Sequence, residues 1–273
     1  MRRIWVMAGV TFREAARKRI LWMALAAGVA FLALFATALH FQAAEFDHAH
    51  IPRIMRTQAL ENMLIVGLYA SDLLIAVMTI LLSVDTLSGE IASGTIQAVA
   101  TKPVFRWELL AGKWLGFCGM LTLYMALIVL GINAITYGLI GIVAPHLAIG
   151  FSLIWMESML LLCVTFFFGT MFSSLTNGVL TLGLHGLAFL GGWIEQLGVT
   201  RKVVDLGIMA SVVMPSEVLW RRAAFEMQSP LSGGVNGPFS TVSVPSPLMV
   251  GYAAVYAVVF LVMAARRLET RDL

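Results

Sequence analysis

The chain has 273 residues, of which 60% are hydrophobic and only 12% charged, with a mean hydropathy of +0.90. Soluble domains are about 45–50% apolar, so a soluble fold is excluded and an integral membrane protein is implied. The formal net charge of +3 raises nucleic acid as a partner, but the basic residues sit beside apolar runs, where they act as topology signals, and no nucleic acid is expected.

In chain order, residues 1–19 place Ile4, Trp5, Ala8, Phe12, Ala15 and Ala16 on one face of a helical wheel and Arg2, Arg3, Arg13 and Arg17 on the other. This predicts an amphipathic helix lying in the membrane interface. The basic start, the apolar run and Ala36-Thr37-Ala38 also resemble a signal peptide. That run is longer than the roughly 7–15 residues of a signal core, so a retained first span fits better. Taking about 20 apolar residues per span, six spans are predicted, at 20–41, 62–84, 114–142, 151–173, 178–197 and 247–265. The expected fold is an all-α integral membrane protein, one transmembrane domain over 1–273 without internal repeats.

Between the first two spans, His48 and His50 stand near Glu45 and Asp47. They could bind a metal, although a His-x-His pair in a loop is more often solvated and a tight site needs further ligands. Asp72, midway along the second span, costs roughly 2.5–3.5 kcal/mol on insertion scales, so it needs a partner, a proton or a water-filled cavity. A place on a translocation path and a structural polar contact both fit it. Asn133, Glu157 and His185 are further intramembrane polar candidates. Glu157 is expected about two turns from the outer boundary, within reach of water, while Asn133 and His185 could hydrogen-bond across helices. Cys118 and Cys163 fall in apolar runs and read as packing residues.

The connection 85–113 is far longer than the handful of residues two spans need. It is helical in pattern at both ends and broken at Thr101-Lys102-Pro103. Glu90 and Gly94 share a helical face, Gly94 admits another backbone, and Pro103 opens the helix that carries Arg106, Glu108 and Lys113. A docking element and a loop resting on lipid headgroups are both compatible with this pattern. In 198–246 the first half is too apolar for a solvated loop yet interrupted by Pro215. It is expected to form two short helices dipping into the outer leaflet, their broken ends covered by protein. The remainder, rich in turn formers, is expected as an outer excursion. Only Arg53, Arg56, Arg201, Lys202, Arg221 and Arg222, six of the 18 Lys and Arg, fall on one side of the expected topology. Both termini and 85–113 are therefore expected in the cytoplasm.

The ordered set Gly89-Glu90, Gly94-Thr95, Lys102-Pro103, Arg106, Gly112-Lys113 and Gly116 resembles the cytoplasmic signature of type-2 ABC exporter permeases. Within these it is most similar to the group associated with multicopper-enzyme maturation, including the permease of the nitrous-oxide reductase accessory system. The amphipathic start, the six spans, the broken outer segment and the ending "ARRLETRDL" match the family layout, so the resemblance covers almost the whole chain. It implies an elbow helix at the N-terminus, a cytoplasmic coupling helix after the second span and a re-entrant outer pair before the last. Carried over by position, Glu90, Gly94 and Thr95 would contact an ATPase subunit, with Pro103, Arg106, Gly112 and Lys113 setting the turn into the third span. It further implies a non-catalytic subunit of the bacterial inner membrane, paired with a second permease copy or a related permease and with an ATPase dimer. An accessory protein on the outer face is a further possible partner. ATP and Mg would be bound by the ATPase, with no cofactor on this chain. In agreement, Gly112-Lys113 is followed by Trp114 and lacks the earlier glycine of a phosphate-binding loop. The alternatives are a proton-coupled secondary transporter or an intramembrane enzyme centred on Asp72. The missing inverted repeats and the missing Gly-x-Ser-x-Gly elbow weigh against them.

Overall fold

The computed structural model describes residues 2–49, 52–92, 105–197, 201–229 and 243–270. These form the helices α1 (Arg2–Arg17), α2 (Arg19–His48), α3 (Arg53–Ser83), α4 (Asp85–Ala92), α5 (Arg106–Ile140), α6 (Leu147–Gly169), α7 (Ser174–Leu197), α8 (Arg201–Val213), α9 (Ser216–Met227) and α10 (Pro247–Thr270). No strand occurs among the described residues. Among the described residues six helical stretches are long and apolar enough to cross a membrane: α2, α3 running on into α4, α5, α6, α7 and α10. The all-helical, six-span architecture expected from composition is therefore present. α3 begins at Arg53, ahead of the apolar stretch read from 62, and α5 begins at Arg106, where the helix carrying Arg106, Glu108 and Lys113 into the third span was expected. A helix, once nucleated, extends through polar flanks at little cost, and hydropathy registers only the apolar stretch.

α6 forms the centre. It is buried on nearly every side, the behaviour expected of a helix with no polar stripe, and α3, α9 and α10 all pack on it. Its aromatic residues seat the neighbours: Phe166 meets Phe117 of α5 edge to face at 5.9 Å, and Phe167 meets Phe260 of α10 at 5.1 Å. α2 and α10 lie outside, with most of their surfaces exposed.

α1 does not hang free. It lies along the start of α5, where a Cβ at Gly116 would come within 2.8 Å of the Ala8 carbonyl and one at Gly112 within 2.5 Å of Met7 Cβ. Two glycines one turn apart thus give α5 a bare strip on which the α1 backbone rests. Trp5, Val6 and Val10 of α1 remain exposed. At the same end Arg106 Nη1 donates to the carbonyl oxygens of Leu268 (2.9 Å) and Glu269 (3.3 Å), so α1, the start of α5 and the end of α10 share one end of the bundle.

α8 and α9 are two short helices separated by Met214 and Pro215. α8 crosses α7 so closely that a Cβ at Gly207 would lie 2.6 Å from the Gly191 carbonyl oxygen. α9 is largely buried, from Ser216 to Met227. A helix end inside an apolar environment needs partners for its last carbonyls. Here the hydroxyls of Tyr252 and Tyr256 on α10 donate to the carbonyls of Val212 (2.7 Å) and Val213 (2.8 Å). Removing both hydroxyls in Tyr252→Phe/Tyr256→Phe is expected to cost about 2–3 kcal/mol, read as a lowered thermal midpoint in detergent. Each single change should give a smaller loss, and because the two rings touch, with centroids 5.9 Å apart, and their hydroxyls bond adjacent carbonyls, the losses are not expected to add simply.

Candidate functional site

The helices bring two polar assemblies together, one inside the bundle and one at the end that carries α1.

The inner assembly gathers side chains from four helices. Asp72 on α3, Glu157 on α6, His185 on α7 and Glu217 in the first turn of α9 are all buried. His185 Nδ1 stands 3.0 Å from Ser216 Oγ and 3.9 Å from Glu157 Oε1. The three carboxyls lie within electrostatic reach of one another. Glu217 Oε1 is buried without a hydrogen-bond partner among the described residues, and the Asp72 and Glu157 carboxyls are within hydrogen-bond reach of each other. Room for Glu217 comes from Gly192, where a Cβ would meet Glu217 Cγ at 2.5 Å. The start of α9 is aimed at this cluster, and a helix N-terminus favours a carboxylate in its first turn. On one flank Trp193 Nε1–H donates to the Tyr69 hydroxyl, and the Tyr69 ring packs edge to face on Trp220 at 5.2 Å. On the other flank Arg221 Nη1 is paired with Glu195 Oε2 at 2.9 Å, and Ser243 Oγ donates to Glu195 Oε1 at 2.7 Å. The nearest cation is thus already engaged.

Of the expected inner candidates, Asp72, Glu157 and His185 converge. Glu157 is corrected in one respect: at 2% exposure it does not meet water, because α3, α7 and α9 pack around α6. Asn133 is elsewhere. Its Nδ2 donates to the Val129 carbonyl (2.9 Å) and its Oδ1 accepts from the Ala144 backbone N–H (3.0 Å), fastening the turn after α5. Glu217 is the member that sequence reasoning missed. Its signal was an acidic residue two positions after Pro215 with Arg221 one turn on, in a stretch read only as a pair of short apolar helices.

In the second assembly, Lys113 of α5 is buried and forms an ion pair with Glu90 of α4. α4 is further held to α7: Ser174 Oγ donates to Asp85 Oδ1 (2.7 Å) and lies 2.8 Å from Ser88 Oγ, while Asn177 Nδ2 donates to the carbonyls of Val84 (3.2 Å) and Thr165 (3.0 Å). At the start of α5 the Glu108 carboxylate accepts from the Phe105 backbone N–H at 3.3 Å, half of a capping box. Arg106 reaches α10 and Gly112 supports α1, as described above. Gly94, Thr95 and Pro103 lie outside the described residues.

His48 is exposed at the end of α2, and His50 lies outside the described residues. Among the described residues no three His, Cys, Asp or Glu side chains are grouped so as to hold a metal ion. Cys118 and Cys163 are buried free thiols, Cys118 Sγ lying 3.1 Å from Met159 Sδ, which suits packing.

Residues 5–273 fit the family model described as ABC-2 family transporter protein. No curated protein matches the chain.

Proposed function

Because the chain belongs to the ABC-2 transporter family, whose members are membrane transport components, we propose that it is the permease subunit of an ATP-driven exporter and forms half of a translocation path. The other half is a second copy or a related permease, and a separate ATPase dimer binds ATP and Mg and does the hydrolysis. The proposed setting is a bacterial cytoplasmic membrane with both termini in the cytoplasm. On the loop signature, its place within the family is nearest the multicopper-enzyme maturation permeases.

The observation that carries the reading is how the segment from Asp85 to Arg106 is anchored. On its leading side α4 breaks from α3 at Val84 and is fixed to α7 through Asp85, Ser88, Ser174 and Asn177. Across the segment, Lys113 and Glu90 join α4 to α5. On its trailing side Arg106 grips the end of α10. A coupling element must transmit a push without yielding, and each of these contacts ties it to a different helix of the bundle. In this reading Glu90, Gly94 and Thr95 belong to the surface offered to the ATPase, and Pro103, Arg106, Gly112 and Lys113 brace it. α1 is the elbow helix, lying on the Gly112 and Gly116 strip with Trp5, Val6 and Val10 toward lipid, and α8–α9 is the re-entrant pair.

The test is copurification from native membranes in mild detergent, wild type beside Glu90→Arg, with ATPase activity assayed on the eluate. An ATPase that elutes with wild type, and is lost or no longer stimulated in the variant, is the expected result. Absence of any ATPase under conditions that preserve other transporter complexes would overturn the reading.

A further inference from the structure

We propose that Asp72, Glu157 and Glu217 form a proton-binding site, in which bound protons hold at least two of the three carboxyls as acids and keep α9 seated against α3, α6 and α7. The site does not depend on the exporter reading, since it follows from how the carboxyls are placed.

The groups facing the cluster can be named helix by helix. α3 contributes Tyr69 and Asp72, α6 contributes Glu157, α7 contributes His185 and Glu195, and α9 contributes Glu217 and Arg221. Arg221 is the cation of this set; it faces Glu195 at 2.9 Å and its charge also reaches Glu217, so it offsets one of the four carboxyls Asp72, Glu157, Glu195 and Glu217. Three carboxyls therefore remain against one helix N-terminus, which accommodates about one negative charge at most. Carboxylates this close cannot all ionise, because each adds to the others' repulsion where water does not screen it. Burial works in the same direction. Glu217, 1% exposed, turns one oxygen into the cluster with no hydrogen-bond partner among the described residues, while Asp72 and Glu157, 6% and 2% exposed, stand within hydrogen-bond reach of each other. Two ionised carboxylates have only acceptors to offer each other, so a hydrogen bond between Asp72 and Glu157 needs a proton on one of them, and burial without a partner disfavours the charged form of Glu217.

The protons act as ligands that bridge elements. Asp72 and Glu157 sit on two long helices, and Glu217 sits at the broken start of α9, immediately after Pro215. With protons bound, the three can approach. Each proton released adds a negative charge to the same enclosure and pushes Glu217, the member on the shortest helix, away from the other two. The position of α9 is thereby linked to proton occupancy.

Infrared spectroscopy of the purified full-length protein in a detergent without carbonyl groups tests this directly. The readout is the C=O stretch of protonated carboxylic acids at neutral pH, in wild type, Asp72→Asn, Glu157→Gln and Glu217→Gln. Wild type is expected to show the band, and removing one member should lower it by roughly a third to a half, as two or three shared protons require. A proton carried on His185 instead would give no such band. Thermal midpoints supply the second measurement, because the amides are near-isosteric with the acids. The amide variants are expected to keep the wild-type midpoint. The proposal is overturned if wild type lacks the band, if the band is unchanged in all three variants, or if the three amide variants fail to fold, which would mean that the carboxylates are needed as charges.

Discussion

Gly207→Leu is expected to prevent assembly of α8 and α9 onto the bundle, the largest single-residue effect foreseen for this chain. A Cβ at Gly207 would stand 2.6 Å from the Gly191 carbonyl oxygen and 2.8 Å from Glu195 Cβ. The first of these is backbone, which cannot rotate aside, so α8 must move off α7. That movement would pull Val212 and Val213 from the Tyr252 and Tyr256 hydroxyls and shift Ser211, which accepts from Arg221 Nη2 at 3.3 Å. Overpacking alone costs about 1–3 kcal/mol, and the lost hydrogen bonds add to it. The expected outcome is little monodisperse protein on size-exclusion chromatography. Gly251→Ala is the control: a Cβ there meets nothing within 4 Å, and Ala in a helix gains up to about 1 kcal/mol over Gly. Equal yields of Gly207→Leu and wild type would refute the close crossing of α7 and α8.

Glu90→Ala is expected to lower stability by about 3 kcal/mol, the lower end for breaking a buried pair, because it leaves the Lys113 ammonium enclosed without its partner. Lys113 has a side-chain exposure of 5% and Glu90 one of 23%, so the lysine is the member that cannot turn to water. Lys113→Met is expected to cost less, since the remaining carboxylate can reach solvent. The exchanged pair, Glu90→Lys with Lys113→Glu, should recover part of the loss, and a double-mutant cycle on thermal midpoints isolates the coupling. That coupling should persist in high salt, which screens exposed charges far more than buried ones. A coupling near zero would mean that α4 is held by its contacts to α6 and α7 instead. Measured beside ATPase stimulation, the exchanged pair also separates the two roles of Glu90. Restored stability without restored stimulation would assign Glu90 to the partner surface as well as to the brace.

The number and order of the spans were legible without coordinates, because the cost of exposing or burying a 20-residue stretch is local and nearly additive along the chain. The amphipathic α1 and the interruption at Pro215 were legible for the same reason: a helical wheel and a missing N–H are properties of neighbouring residues. The helical turn at Arg106 was legible from Pro103, but the start of α3 was not, since the polar turn at Arg53 is helical by cooperativity rather than by hydropathy.

What only the tertiary structure decided is which polar groups meet. Asp72, Glu157 and Glu217 are far apart in the chain and sit on three helices, and hydropathy says nothing about how each helix is rotated about its axis. Asp72 could be singled out as costly, but not matched with Glu157. Glu217 passed unnoticed because its cost appears only once α9 is buried against α6. Glu157 was expected to reach water by its distance from a span end, and it does not, because depth along a helix and enclosure around it are independent coordinates. Sequence supplies the first through the 1.5 Å rise per residue; the second exists only when neighbouring helices have packed.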